Sequence, residues 1–461
     1  GFSTSGTLQI NSEIFTYTGV TTTTFTGVTR ATSSTTAANH ASDDVVSESW
    51  TQRDTGRTNA GKYNFERFNF DGNDKLICVD GTNAPVVFNS SMSATDVSES
   101  SVSGAKFVAA HKNFMFYAGM SSTPQEVVFS VAQDEDDFTS GSGAGSFKVD
   151  DTIVGLKAFR NELFIFCENR IFKLSGTAAS NFVVEPVTRN IGCINGDTIQ
   201  EYAGDLMFLG PDGLRTVAGT ARIGDVELGT VSKNVQGLFD KNIVDSDLFE
   251  SVTIPDKTQY RIFFSKSTVT EKRTRGVACV MRENGFEFSE ILGIRPSCTD
   301  SFITSGDVII LQGSFDGYVH RQEKGNTFDG TTILGRYRGP DLSFGDAGIR
   351  KQMHRVILNY EPEAAISANL ILRYDNESTG SARPAPYPLT TANVGAQYGS
   401  ATYSTASSTT QFVYGGATNP LVRQPVEGSG FTVALKVDDD GVSAPYSLKG
   451  FQLEYQVGAR R

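Results

Sequence analysis

Apolar residues along this chain fall in short runs, with polar turns between them. The stretch 156–176, LKAFRNELFIFCENRIFKLSG, shows the plan. Two runs, Leu163–Cys167 and Ile171–Leu174, are split by Glu168-Asn169-Arg170, and Arg160-Asn161-Glu162 stands in front of the first. Short β-rich runs bounded by Asn, Gly and charged residues read as antiparallel strands joined by hairpins. The plan recurs at 68–81, 107–119, 199–213, 252–265 and 302–317. With Asn73, Asn113, Asn161, Gly204, Lys257 and Gly306 as turn markers, the spacings are 40, 48, 43, 53 and 49 residues. Several strands in units of that period are the signature of β-propeller blades, so the expectation is an all-β chain with about six blades. A β-sandwich with regular hairpins is the competing reading.

Residues 1–48 stand apart, with 20 Ser or Thr among them. Leu8, Ile10, Ile14, Tyr17, Val20, Phe25 and Val28 alternate with polar positions. A small β module of three or four strands is expected there, rather than low-complexity disorder. Residues 49–326 form the repeat region. Inside it Leu228, Val231, Val235, Leu238 and Phe239 follow helical spacing, which predicts a short helix near 231–242 capped by Thr230 or Ser232. The runs MHRVILNYEP, ISANLILRYDN, FTVALKVDDDG and YSLKGFQLEYQV alternate well, so 327–461 reads as a C-terminal β-sandwich. Its Ser/Thr/Ala/Gly/Pro-rich insertion at 378–429 reads as a long arm or tip loop.

A chain of 461 residues suggests two or three domains, and 38% hydrophobic content suffices for buried cores. Forty basic against 52 acidic residues leave a net charge of −12. That balance favours solubility and argues against a surface that grips nucleic-acid phosphates. The five cysteines (Cys78, Cys167, Cys193, Cys279, Cys298) are odd in number and lack a CxxC pair. They read as core filler in a reducing compartment. No run of about 18 apolar residues predicts a transmembrane helix. Nothing at the start reads as a signal peptide, and residues upstream of Gly1 stay open.

Candidate chemistry is sparse. His40, His111, His320 and His354 show no HExxH spacing and no metal-ligand partner in sequence. There is no GxSxG elbow before a helix and no Walker A motif. Asp134-Glu135-Asp136-Asp137 with the Gly-rich 140–146 reads as a flexible, solvated loop rather than a cation site. Asp438-Asp439-Asp440-Gly441 lacks the calcium-loop spacing and reads as a hairpin turn. A single Trp, Trp50, gives no aromatic platform. No catalytic, cofactor-binding or metal-binding residue is assigned, no cofactor is expected, and the chain reads as a scaffold rather than an enzyme.

The wording of the repeats resembles the propeller of tail nozzle (tail tubular protein B-like) proteins, and of packaged-DNA stabilisation proteins, of short-tailed bacteriophages. The matching residues are His111, Lys112, Asn113, Ser130, Asp134, Phe159, Asn161, Leu163, Ile165 and Phe166. The segment 448–461 is similar to the closing strand and basic tail of such proteins, and the opening 7–30 to a small β module of phage virion proteins. The chain departs from that family in being shorter and in lacking an obvious amino-terminal start. The resemblance implies a virion structural protein of the phage tail, assembled in the host cytoplasm. It implies a ring of identical subunits, usually six, below portal and adaptor and touching tail fibre or spike proteins. Packaged DNA is retained there and passes on ejection, with no sequence-specific binding. The alternative is a receptor- or carbohydrate-binding tail propeller, with or without glycan hydrolysis, which needs clustered carboxylates, an Arg group or several Trp at one mouth.

Overall fold

The structure is a computed structural model. It describes residues 1–461 except 1, 3, 43, 45, 50–52, 59–61, 219–229, 267–274, 284, 316, 329, 363–366, 378–382, 391–394, 397–412, 415–420, 443–445 and 459–461. The fold is all-β, and the chain divides into two compact units. One spans Gly1–Cys167 with Phe172–Glu185, the other Glu168–Ile171 with Pro186–Arg461.

The first unit opens with the small module. Gly6–Ile10 is the middle strand between Glu13–Tyr17 and Val46–Glu48, and Gly19–Val20 pairs with Phe25–Thr26. Leu8, Phe15 and Tyr17 are its buried core. Three antiparallel four-stranded sheets follow. Blade 1 comprises Asn64–Phe68, Lys75–Val79, Val86–Phe88 and Ala94–Asp96; blade 2 comprises Phe107–His111, Phe114–Ala118, Glu126–Phe129 and Gly145–Lys148. Blade 3 comprises Ile153–Phe159, Glu162–Cys167, Ile171–Ser175 and Val183–Thr188. The first strand of blade 2 lies beside the first strands of blades 1 and 3. Blades fanned about adjacent first strands are the propeller arrangement. One apolar layer joins blades 1 and 2 through Ile77, Val79, Met115 and Tyr117. Another joins blades 2 and 3 through Phe116, Val127, Leu163 and Ile165.

The second unit repeats the plan. Blade 4 has three described strands, Gln200–Tyr202, Asp205–Gly210 and Gly213–Thr216. Blade 5 has four: Leu248–Ile254, Gln259–Ser265, Arg275–Arg282 and Gly285–Leu292. Blade 6 again has three, Pro296–Thr304, Asp307–Ser314 and Val319–Arg321. The first strand of blade 5 lies beside those of blades 4 and 6. All six turn markers sit between the first and second strands of successive blades. Lys112-Asn113, Ala203-Gly204 and Ser305-Gly306 have positive φ at both positions, the type I′ turn whose twist suits a two-residue hairpin.

Two expectations change. The helix runs Gln236–Asp245, later than 231–242, and Lys233–Val235 ahead of it is a single 3₁₀ turn. Neither proposed cap acts as one: Thr230 donates to the Asp212 carboxylate, and the Ser232 hydroxyl accepts the Leu214 amide of blade 4. Leu228 lies outside the described residues. The loop around 134–146 is anchored rather than free. Gly145–Lys148 is the outer strand of blade 2, the Tyr117 hydroxyl donates to the Glu135 carbonyl, and Lys75 pairs with the Glu135 carboxylate at 2.7 Å.

The C-terminal part is a sandwich. One sheet orders Gly335–Arg338, Val433–Asp439, Ser367–Tyr374 and Tyr387–Thr390. In the other, Lys351–Pro362 pairs on one side with Tyr446–Val457 and on the other with Leu421–Pro425 and Ser429–Gly430. Val356, Leu358, Leu370, Leu372, Val433 and Leu435 fill the space between them. Within the 378–429 insertion, Tyr387–Thr390, Leu421–Pro425 and Ser429–Gly430 are thus strands of the sandwich, and most residues between 390 and 421 lie outside the described residues. Asp439 accepts the Gly441 amide at 2.9 Å. The turn expected there as a hairpin instead connects the two sheets, since Val433–Asp439 and Tyr446–Val457 pair with different partners.

Candidate functional site

The residues that carry the resemblance gather on blades 2 and 3. His111 ends the first strand of blade 2, and Lys112-Asn113 turn the chain into Phe114–Ala118. The Lys112 ammonium reaches across to the Asn161 side-chain carbonyl at the equivalent turn of blade 3, 3.1 Å away. The Asn113 carbonyl accepts the Gln133 amide at 2.7 Å, which ties the acidic loop to the same turn. Ser130 is fully buried; its hydroxyl accepts the Met115 amide and donates to the Val131 carbonyl, extending the sheet past Phe129. Asp134 accepts the Asp136 amide and Asp137 that of Thr139, so two of the four acidic side chains are spent on turns. Leu163, Ile165 and Phe166 are wholly buried in the second strand of blade 3.

Two titratable side chains, Glu66 and His111, stand on the first strands of blades 1 and 2. Glu66, on the first strand of blade 1, accepts the Ala110 amide of blade 2 at 3.2 Å. Burial raises its carboxyl above the usual range, against the pull of that amide and of Lys157 on blade 3. His111 is buried, its Nε2 lacks a hydrogen-bond partner, and burial with the nearby Lys112 lowers it to about 4. It is therefore a neutral imidazole at pH 7.

In the second unit, side chains of first strands stitch blade to blade through backbone carbonyls. Gln200 and Thr299 both donate to the Ser251 carbonyl, and Ser301 donates to that of Thr253. A cleft of about 390 Å³ opens between the turns of blades 4 and 5, lined by Glu201, Tyr202, Gly204, Pro255, Thr258 and Gln259. The Tyr202 hydroxyl is already engaged there, accepting the Met281 amide at 2.7 Å and donating to the Thr258 carbonyl at 2.8 Å. Arg261 and Lys257 of blade 5 both pair with Glu323. Burial pushes the Glu323 carboxyl up, and the two cations outweigh it and hold it below its ordinary value.

The other histidines are dispersed. His40 contacts Glu13 in the small module at 2.9 Å, His320 lies on the last strand of blade 6, and His354 on the sandwich. Among the described residues no three His, Cys, Asp or Glu side chains converge as a metal-binding set. Burial pushes the Cys78, Cys193 and Cys279 thiols up to about 12, far from a thiolate nucleophile at pH 7. Sequence reasoning missed Glu13, whose carboxylate is fully buried and binds Arg30, His40 and the amides of Ala31 and Ala38. A lone Glu at an apolar strand position was the available signal.

No family model and no curated protein matches the chain. Solved structures with which it shares a partial likeness include the N-terminal domain of Nup159, at 13% identity and TM-score 0.34 over 56% of this chain and 75% of that one. An exo-β-1,3-galactanase from Phanerochaete chrysosporium is 8% identical, TM-score 0.29, over 88% and 98% of the two chains. Hsv2p of Kluyveromyces lactis is 8% identical, TM-score 0.30, over 62% and 97%. Likeness at this level carries no argument about activity.

Proposed function

We propose that this chain is a structural protein of a bacteriophage tail, a nozzle-type ring subunit that walls the DNA channel. The observation that carries the reading is the connection among the resembling residues. The His111-Lys112-Asn113 turn, Ser130, the acidic loop and the Asn161 turn form one hydrogen-bonded assembly spanning two blades. A stiff wall of blades with a net charge of −12 repels DNA phosphates, so a duplex passes without being gripped. In this reading identical subunits form the ring, usually of six, and portal, adaptor and fibre or spike proteins are its neighbours. Repetition around a ring multiplies individually weak contacts.

Negative-stain imaging of phage particles labelled with an antibody against this chain tests the reading. Label on the tail axis supports it. Label on peripheral spikes, or purified protein that stays monomeric and cleaves a glycan, overturns it in favour of a carbohydrate-active tail propeller.

A further inference from the structure

Blade 6 has one packed face and one open face. Thr299, Ser301, Ile310 and Gln312 point toward blade 5, where Thr299 and Ser301 bond to its backbone and Ile310 joins Val252, Ile254 and Phe263. Strand alternation places their neighbours on the opposite face. The register there aligns Phe302 with Ile309; Asp300 with Leu311 and Arg321; and Cys298 with Gly313 and Val319. Phe302 is 43% exposed and Val319 50%, and Cys298, Asp300 and Arg321 are exposed as well. The blade ends at Val319–Arg321, with no fourth strand among the described residues.

The charges on this face have an order. Asp300 sits on the first strand, Leu311 on the middle strand and Arg321 on the last, in a single row. A two-fold axis along the middle strand carries that row onto its own complement, with acid over base, leucine over leucine and base over acid. Adjacent strands are about 4.8 Å apart and packed sheets about 10 Å, a gap that an Asp and an Arg side chain span together. A self-complementary patch with an apolar centre is what an isologous contact requires.

We infer that the open face of blade 6 pairs with the same face of a second copy of this chain in solution, with Ile309 and Leu311 of the middle strand at its centre, and Phe302, Val319 and two Asp300–Arg321 pairs on the flanking strands. The inference goes beyond the nozzle reading, since a two-fold pair is not a ring contact. Like charges brought together in such a contact repel, and each single reversal creates two like-charge pairs.

Sedimentation velocity over a concentration series tests it with the wild type, D300R, R321D and the double variant D300R/R321D. Expected are a concentration-dependent dimer in the wild type, at least a tenfold weaker association in each single variant, and recovery in the double variant. Alkylation of Cys298 should slow as the wild type associates and stay fast in the single variants. A wild type that is monomeric at every concentration overturns the inference. So does an oligomer indifferent to both reversals, which locates self-association elsewhere and leaves the ring reading intact. Circular dichroism of each variant separates loss of pairing from loss of fold.

Discussion

Glu13 shows how one residue can organise a module. Its carboxylate is buried on a short strand of a hairpin, yet Arg30, His40 and two backbone amides surround it. The Arg30 guanidinium foremost, against burial and with help from Ala38, His40 and Ala31, holds the carboxyl far below the usual range. A depressed folded pKa means that the stabilisation is fully present above the ordinary value of 4.5 and is lost as pH falls below it. Protection factors of the amides in residues 6–48, corrected for the intrinsic pH dependence of exchange, should therefore fall below that pH in the wild type, and should already be low at pH 7 in Glu13→Gln. His111 behaves in the same direction for a different reason. Between pH 6.5 and about 4 the unfolded chain takes a proton that the buried imidazole refuses, so stability falls as pH falls through that window. The full shift corresponds to roughly 3 kcal/mol. His111→Phe should remove that slope from the urea midpoint measured between pH 7 and 4.5.

At the scale of the element, the second strands of blades 2 to 5 are buried almost throughout. Phe116, Phe166 and Phe208 lie on second strands of blades 2, 3 and 4 and are fully buried. Truncating such a ring costs about 3–5 kcal/mol. Phe116→Ala should lower the chemical-denaturation midpoint of its unit accordingly, while truncating the exposed Val183 at a blade edge should do little. Gly276 faces Phe263 across blade 5, and a Cβ there would stand 2.7 Å from the ring. Gly276→Ala should destabilise by about 1–3 kcal/mol, since the ring is itself boxed in by Val252 and Ile310. Ser130→Ala would leave the buried Met115 amide without its hydroxyl partner, a loss of about 1–3 kcal/mol readable as faster exchange at that amide.

Across the whole molecule, cohesion comes from apolar layers between neighbouring blades and between the two sandwich sheets, not from covalent staples. All five cysteines are free thiols, four of them buried. Adding a reductant should leave the melting temperature unchanged in a thermal-shift measurement, whereas a fall of several degrees would reveal a disulfide. The cysteines' burial also fits their place in apolar runs, where the thiol packs as a small hydrophobe.

The sequence by itself determined the all-β class, the six hairpin turns in register and the sandwich strands of the C-terminal part. Those features rest on alternation and turn chemistry, which act over a few neighbouring residues. Only the tertiary structure decided the rest. The acidic loop is pinned because Lys75, sixty positions away, meets Glu135. The helix starts late because Thr230 and Ser232 spend their hydroxyls on blade 4. Glu13 is an anchor because a distant loop folds back over it, and the Asp300–Leu311–Arg321 row exists only once three strands are paired. Contacts between residues far apart in the chain leave no local pattern, since their partners are chosen by packing.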